Sequence, residues 1–355
     1  MYGASFNCGI EKSGDNHIIK FYLEAVSEEF LPEKEELSKK CLEILFDIVF
    51  NPLVENGEFK QEYLDGEREN LRQIIESKID NKAKYSLDRC VEEMYKNEVY
   101  GLYKYGYVED LDKITAKQLY QRYVELIDTC KIDIFYSGTK SKEEMTEMIT
   151  SNKKMQNVKE REPDYIVNNE QTEGKNVEKE NVIEEKMQIN QGKLVIGLNI
   201  NSQEENSRFA TSVYNAILGG GANSKLFQNV REKESLAYTA GSNYIRQKNS
   251  IFVRCGIEID NYKKALDTIK KQLEDMKKGD FTGQDIKNAK KLITESVKSI
   301  TSEQDTEITY YYGQELSDIF MTIDQYEEKI EAVTKEQITD LANKINVDTI
   351  YFLRN

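Results

Sequence analysis

The sequence has no tryptophan, a single histidine and only three prolines in 355 residues. No stretch reaches the roughly 18 consecutive apolar residues of a helical membrane span, so neither a membrane segment nor a membrane partner is expected. The five cysteines (Cys8, Cys41, Cys90, Cys130 and Cys255) are odd in number and scattered, without a Cys-x-x-Cys pair. That pattern argues against a zinc ribbon and a disulfide framework, and for a reducing compartment. Positive charge is also short: 49 Lys and Arg stand against 64 Asp and Glu, a net charge of −15. Nucleic-acid binders neutralise phosphates with clustered Lys and Arg. Here the basic residues are interleaved with more numerous acids, so no nucleic-acid partner is expected. The opening MYGASFNCGIEKSGDNH lacks a basic stretch followed by an apolar core. No secretory signal is therefore read there, and the expected location is the cytoplasm.

What is present is a chain with 39% apolar and 32% charged residues, the composition of a helix-rich folded protein. Its elements repeat. Ile18–Glu24 and Phe252–Glu258 both read as strands ending in an apolar residue and Glu. Each is followed by an amphipathic helix, one carrying Leu42, Leu45 and Val49, the other Leu266, Ile269, Leu273 and Met276. A second helix opens near Phe59 and near Phe281. Ile114–Leu119 matches Val333–Ile338, and in both a Thr followed three residues later by Gln fits a capping box. Ile132–Tyr136 and Thr349–Leu353 then read as closing strands. Five elements in one order predict a duplicated α+β domain, an antiparallel sheet covered by helices. The halves are expected at residues 1–156 and 187–355, joined by a charged, solvated linker over 157–186.

The halves are unequal at the front. The second has a strand over Leu194–Ile200, a helix from Phe209 to Leu218, the turn Gly219-Gly220-Gly221 and a further helix from Leu226. The first half starts where these have already ended. It is therefore expected to be truncated at its N-terminus, lacking one strand and one or two helices and exposing apolar surface.

The stretch from Gly219 through Leu226-Phe227 and Arg231-Glu232-Lys233 to Leu236-Ala237-Tyr238 resembles the second-half signature of the M16 (insulinase, processing-peptidase) family. Duplicated halves are also a trait of that family. The resemblance implies the duplicated M16 metallohydrolase roll. It also implies a zinc centre built on a helical His-x-x-Glu-His, where two His one turn apart hold the metal and the Glu acts as base. With His17 as the only histidine, that motif does not occur, so no zinc cofactor and no catalytic residue is expected. The family's third-ligand helix opens with Glu-Arg, here Glu67-Arg68. Its ligand Glu would follow seven residues after Glu67, where this sequence has Ile74, whose hydrocarbon side chain cannot coordinate metal. Glu67 and Ile74 thus mark a relic of the metal region. The bland alternative is an ordinary helix turning Leu71, Ile74 and Ile75 inward.

The resemblance further makes Arg231 and Tyr238 candidate substrate-binding residues, against a purely structural reading of both. It implies a non-catalytic subunit that pairs with a catalytically intact M16 homologue, as a heterodimer, and helps enclose a peptide or protein substrate. Two alternatives stay open: an N-terminally truncated fragment of an active zinc metalloendopeptidase, and a purely structural assembly subunit. Within the family, Met1–Ser5 and Thr349–Leu353 are most similar to subunits associated with aminopentanol modification of elongation factor P. The triglycine does not fit a phosphate loop, since the G-x-x-x-x-G-K-[ST] order is absent. It is expected to stop a helix and to allow positive φ or close backbone approach. His17 reads as a strand-edge residue. Tyr100, Tyr103, Tyr105 and Tyr107 read as loop packing or an aromatic peptide shelf. Tyr310–Tyr312 read as helix core and surface, and Pro32 as the first turn of a helix running to Leu37.

Overall fold

The computed structural model describes residues 3–158, 179–202 and 207–355. In chain order it begins with a hairpin of β1 (Ser5–Ser13) and β2 (Asn16–Glu24), helix α1 (Leu37–Phe50), and a ribbon of β3 (Val54–Glu55) and β4 (Glu58–Phe59). Helices α2 (Gln61–Glu76), α3 (Lys82–Met94), α4 (Val108–Leu111), α5 (Ala116–Thr129), α6 (Lys142–Thr150) and α7 (Lys153–Gln156) follow. Then come β5 (Asn181–Lys186), β6 (Gly192–Ile200), α8 (Ser207–Gly219), β7 (Ala237–Ile245) and β8 (Ser250–Ile257). The chain closes with α9 (Tyr262–Lys277), α10 (Gly283–Lys298), α11 (Gln304–Glu315), α12 (Ile323–Glu331), α13 (Lys335–Ala342) and β9 (Ile345–Arg354). Two compact units emerge: Met1–Ser77 with Lys104–Ile166, and Lys78–Tyr103 with Val167–Asn355.

The second unit is organised by β6. Its run Leu194–Ile200 is apolar at almost every position, the pattern of a strand covered on both faces, and every residue of that run is buried. The sheet order is β5-β9-β6-β8-β7. The pairs from β9 to β7 are antiparallel, while β5 joins β9 in parallel. One face packs into the main core with Phe209, Val213 and Ile217 of α8, Ile269 and Met276 of α9, and Ile338 and Leu341 of α13. The buried positions Ala265, Ile269, Leu273 and Met276 of α9 fall at helical spacing, so its periodicity is its docking face. The opposite face, with Val195, Phe252, Tyr351 and Leu353, is covered by Cys90, Met94 and Tyr95 at and just beyond the end of α3. Gly197 gives Met94 its place there: a Cβ at Gly197 would stand 2.6 Å from the Met94 sulfur.

Glu185 pins this arrangement. It accepts hydrogen bonds from Tyr85 of α3 at 2.5 Å, Tyr351 of β9 at 2.7 Å and Arg89 Nε at 3.2 Å. Residues 181–186, read from sequence as the end of a solvated linker, are thus a paired edge strand. The charge-rich composition that signals solvent exposure also suits an edge strand, where acidic side chains discourage further pairing. Residues 159–178 of the expected linker lie outside the described residues, as do Met1 and Tyr2.

The first unit has much smaller cores. Leu42, Phe46 and Met145 are buried together, joined by the partly buried Phe50, Met148 and Ile149. Phe59 packs edge-on against Tyr120 and Tyr123 at 5.5 and 5.9 Å. Both expected capping boxes form, at Thr115–Gln118 and Thr334–Gln337. Two expectations fail in this unit. Residues 131–137 carry no assigned strand, because a strand is defined by its ladder and its apolar alternation found none. Pro32 lies in a bend, and α1 starts only at Leu37. Among the described residues, no helix is long and apolar enough to cross a membrane.

Candidate functional site

The segment from Gly219 to Glu258 carries the candidate residues of the second unit. Gly219 ends α8 against the backbone of β7: a Cβ there would lie 2.4 Å from the Ser242 nitrogen and 2.8 Å from the Gly241 carbonyl carbon. The triglycine therefore serves close approach. None of its three residues has positive φ, so that part of the expectation is not realised. After the turn, Phe227–Lys233 is a π-helical segment, a rare form that recurs at functional sites because its wide turn redirects side chains. Val230 anchors it in the core and its carbonyl accepts from the Leu236 N–H at 3.0 Å. Ser235 then takes a φ of 51°, unusual for a residue with a Cβ.

Arg231 projects from the π-helical segment, with its guanidinium 4.5 Å from the Phe227 ring centroid and Nε 3.7 Å from Glu232. Its side chain is 42% exposed. Tyr238 sits at the start of β7, the outermost strand of its sheet. Ala237 pairs with Ile257 and Thr239 with Gly256, so Tyr238 is the extra residue of a β-bulge, a device that re-aims a side chain and ends regular pairing. The ring is 57% exposed, and its hydroxyl donates to Glu258 Oε1 at 3.1 Å. That hydrogen bond and the carboxylate charge raise the Tyr238 pKa and keep the phenol protonated. Arg231 and Tyr238 thus leave a guanidinium and a phenol hydroxyl exposed, on the π-helical segment and on the bulged edge strand that follows it. Spacing in the sequence gave no warning of the π-helical turn or the bulge, since both depend on how Val230 and Ile257 are held.

The relic region lies on α2. Glu67 and Ile74 share one face, and both point outward, with Ile74 45% exposed. The expectation that Ile74 turns inward with Leu71 and Ile75 is therefore corrected. The inner face is Leu64, Arg68, Leu71 and Ile75, offset from Ile74 by one residue around the helix. Arg68, unassigned from sequence, carries the structural load of the Glu-Arg pair. Its Nε donates to the Leu111 carbonyl at 3.1 Å, Nη2 to the Ile114 carbonyl at 2.8 Å, and Nη1 contacts Asp65 at 2.6 Å. It ties α2 to the end of α4. Arg68→Ala should destabilise the first unit by about 2 kcal/mol, since charged donors to backbone carbonyls contribute about 1.5–3 kcal/mol. A urea midpoint unchanged from the parent would refute that role.

The residues present do not fit the family's zinc. Ile74 offers no donor, and His17 stands on β2 opposite Lys12. Among the described residues, no three His, Cys, Asp or Glu converge. The tyrosines divide as follows. Tyr100 is buried, edge-on to Tyr95 at 4.9 Å, and Lys78 Nζ lies 4.1 Å from the Tyr103 ring, both within the second unit. Tyr105 and Tyr107 belong to the first unit, and Tyr107 is exposed. On α11, Tyr312 is buried and Tyr311 exposed.

Comparison with known proteins bears on the same segments. Residues 113–293 match the peptidase M16 inactive domain family. The chain is 35% identical over its whole length to the "probable inactive metalloprotease YmfF" of Bacillus subtilis strain 168, spanning 82% of that protein. A crystal structure of a conserved protein from Enterococcus faecalis V583 superimposes with a TM-score of 0.89 at 27% identity, over 100% of this chain and 82% of that one. The M16 inactive domain from Pseudomonas fluorescens gives a TM-score of 0.75 at 15% identity, covering 99% and 81% of the two chains, a likeness of fold. The signature from Gly219 to Tyr238, the family match over 113–293 and the full-length identity converge: this chain belongs to the peptidase M16 family.

Proposed function

We propose that this protein is a non-catalytic M16 subunit that pairs with a catalytically intact zinc-peptidase homologue and contributes a peptide-holding rim to the shared chamber. The observation that carries the reading is the bulged start of β7, where Tyr238 is turned outward on an edge strand just after the π-helical segment bearing Arg231. A peptide can add to such an edge through main-chain hydrogen bonds, with Arg231 donating to a carbonyl and the Tyr238 oxygen, whose proton is given to Glu258, accepting from a peptide N–H. The exposed hydrocarbon of Ile74 at the ligand position supports the lack of catalysis. The name given to YmfF, an inactive metalloprotease, points the same way.

The test is peptide turnover by the co-purified pair. Arg231→Ala should raise KM about tenfold or more, because a charged donor is lost, and Tyr238→Phe about fivefold, because a neutral acceptor is. The kcat of the intact partner should hold in both. Unchanged KM in both variants would leave a scaffold and dismiss the peptide rim. The isolated chain should also show no chelator-sensitive peptide hydrolysis and hold zinc well below one equivalent, as measured by metal analysis. Stoichiometric zinc with hydrolysis would reverse the reading.

A further inference from the structure

Two central strands of the second unit break their own pattern, each at one place. β6 is buried throughout except at Lys193, and β8 is buried throughout except at Arg254. Register puts both on one face of the sheet. Gly256 stands opposite Lys193 of β6 and opposite Thr239 of β7, and Arg254, two residues earlier, stands between Val195 and Gly241. Lys193 and Arg254 are therefore diagonal neighbours, about 7 Å apart. This is the face that carries Val195 and Phe252 under Cys90, Met94 and Tyr95, but that cover leaves Arg254 exposed.

Like charges this close on a sheet repel unless a counter-ion joins them. Among the described residues neither cation has one. Lys193 Nζ donates to the Gln191 amide oxygen and Arg254 Nη2 to the Asn243 amide oxygen, both neutral acceptors. Carboxylates are not scarce: Arg89 on α3 has Glu92, Glu93 and Glu185 within 3.2 Å. Those along the same rows are already engaged. Glu185, in line with Lys193 through Leu353, accepts from Tyr85, Tyr351 and Arg89. Glu258, next after β8, accepts from Tyr238. Burial without a counter-charge lowers the Lys193 pKa. The adjacent polar groups present further donors. A Cβ at Gly256 would stand 3.0 Å from both Gln191 Oε1 and Thr239 Oγ1, so these two side chains meet over the glycine. The Thr239 hydroxyl accepts from the Gly256 N–H at 3.1 Å and keeps its own proton to give. The Gln191 oxygen is taken by Lys193, which leaves the amide nitrogen to donate.

We propose that Lys193, Arg254, Thr239 and Gln191 form a carboxylate-binding site on the sheet face of the second unit, and that its ligand is a carboxylate of the bound peptide. This selectivity rests on the peptide-holding rim proposed above and names what that rim prefers. Thr239 and Asn243 of β7 lie on the same face, so the guanidinium that reaches Asn243 leans toward the strand that holds the peptide. A planar guanidinium takes a carboxylate through two parallel N–H···O bonds, and Lys193 adds a second charge. The chain's net charge of −15 repels acidic peptides at long range. The preference is therefore made by these local contacts.

Calorimetric titration of the 355-residue chain with three acetylated octapeptides of one neutral sequence tests this. The first has a central Glu and an amidated end, the second has Gln in place of that Glu, and the third is the Gln peptide with a free C-terminus. The first, the third or both should bind about tenfold tighter than the second, and the one that gains identifies the source of the carboxylate. Arg254→Gln and Lys193→Gln should each remove most of that preference without lowering the urea midpoint, since each relieves a like-charge pair. Arg231→Ala should weaken all three peptides alike. Equal binding of the three, with Arg231→Ala still weakening them, overturns the carboxylate site and leaves the peptide rim standing. A preference that survives either Gln variant, or a midpoint that falls in both, also overturns the site. No binding of any peptide removes the rim and the site together.

Discussion

Gly219→Ala is expected to destabilise the second unit by about 2 kcal/mol, although alanine is the better helix former. A Cβ at this position would lie 2.4 Å from both the backbone nitrogen and the Oγ of Ser242. Contacts that short force movement, and the obstacle is largely backbone. Ser242 is itself held: it is buried in β7 and its Oγ donates to Asn215 Oδ1 at 2.7 Å. Overpacking a well-fitted site costs about 1–3 kcal/mol, and a rigid neighbour places the cost near the top of that range. The helix-propensity gain, about 1 kcal/mol, offsets part of it. Gly313 on α11 supplies the control. Nothing lies within 4 Å of its Cβ position, so Gly313→Ala should stabilise by about 0.5–1 kcal/mol. Urea midpoints of opposite sign for the two variants confirm the close approach of α8 to β7. A neutral Gly219→Ala would show that β7 yields freely. In that event the bulge at Tyr238 would be a poor platform for peptide.

Glu185→Ala should cost about 2–3 kcal/mol and remove a pH-dependent part of the stability. The side chain accepts from two tyrosines and an arginine, and the Tyr351 it would abandon is fully buried. A buried hydroxyl left without its acceptor pays its desolvation in full. Burial pushes the Glu185 pKa up, but the hydrogen bonds from Tyr85, Tyr351 and Arg89 outweigh it, and the net shift is downward. The folded-state pKa then lies below the unfolded value of about 4.3. The stabilisation is therefore complete above that unfolded value and is lost as pH falls through the folded one. Stability curves of the parent and of Glu185→Gln should run parallel near neutrality and converge in acid. Curves that stay parallel down to full acid unfolding would show that Glu185 is not the pin. Double-mutant coupling with Tyr351→Phe would apportion the hydroxyl's share.

How much was legible in the sequence varies by residue. Thr115 and Thr334 announced their helices because a cap is a contact among neighbours three residues apart. The α9 stripe was equally plain, since its period of three and four is the geometry of one helix. Arg68 was not legible: its acceptors are the carbonyls of Leu111 and Ile114, more than 40 residues away. The outward direction of Ile74 was missed by one step around α2, a matter of which face meets the rest of the unit. Tyr238 was found through the signature it ends, but its place in a bulge depends on the register of β7 against β8.

By itself, then, the sequence determined the amphipathic helices, their caps and the family signature, because each of these is written in local spacing and side-chain chemistry. Only the tertiary structure decided which apolar segments became sheet. Ile132–Tyr136 and Asn181–Lys186 came out opposite to their composition: the apolar one is unladdered, and the charged one is paired to β9. It also decided that Lys78–Tyr103 belongs with the second unit. The reason is that a helix satisfies its backbone within itself, whereas a strand exists only where a distant partner offers the other half of each hydrogen bond.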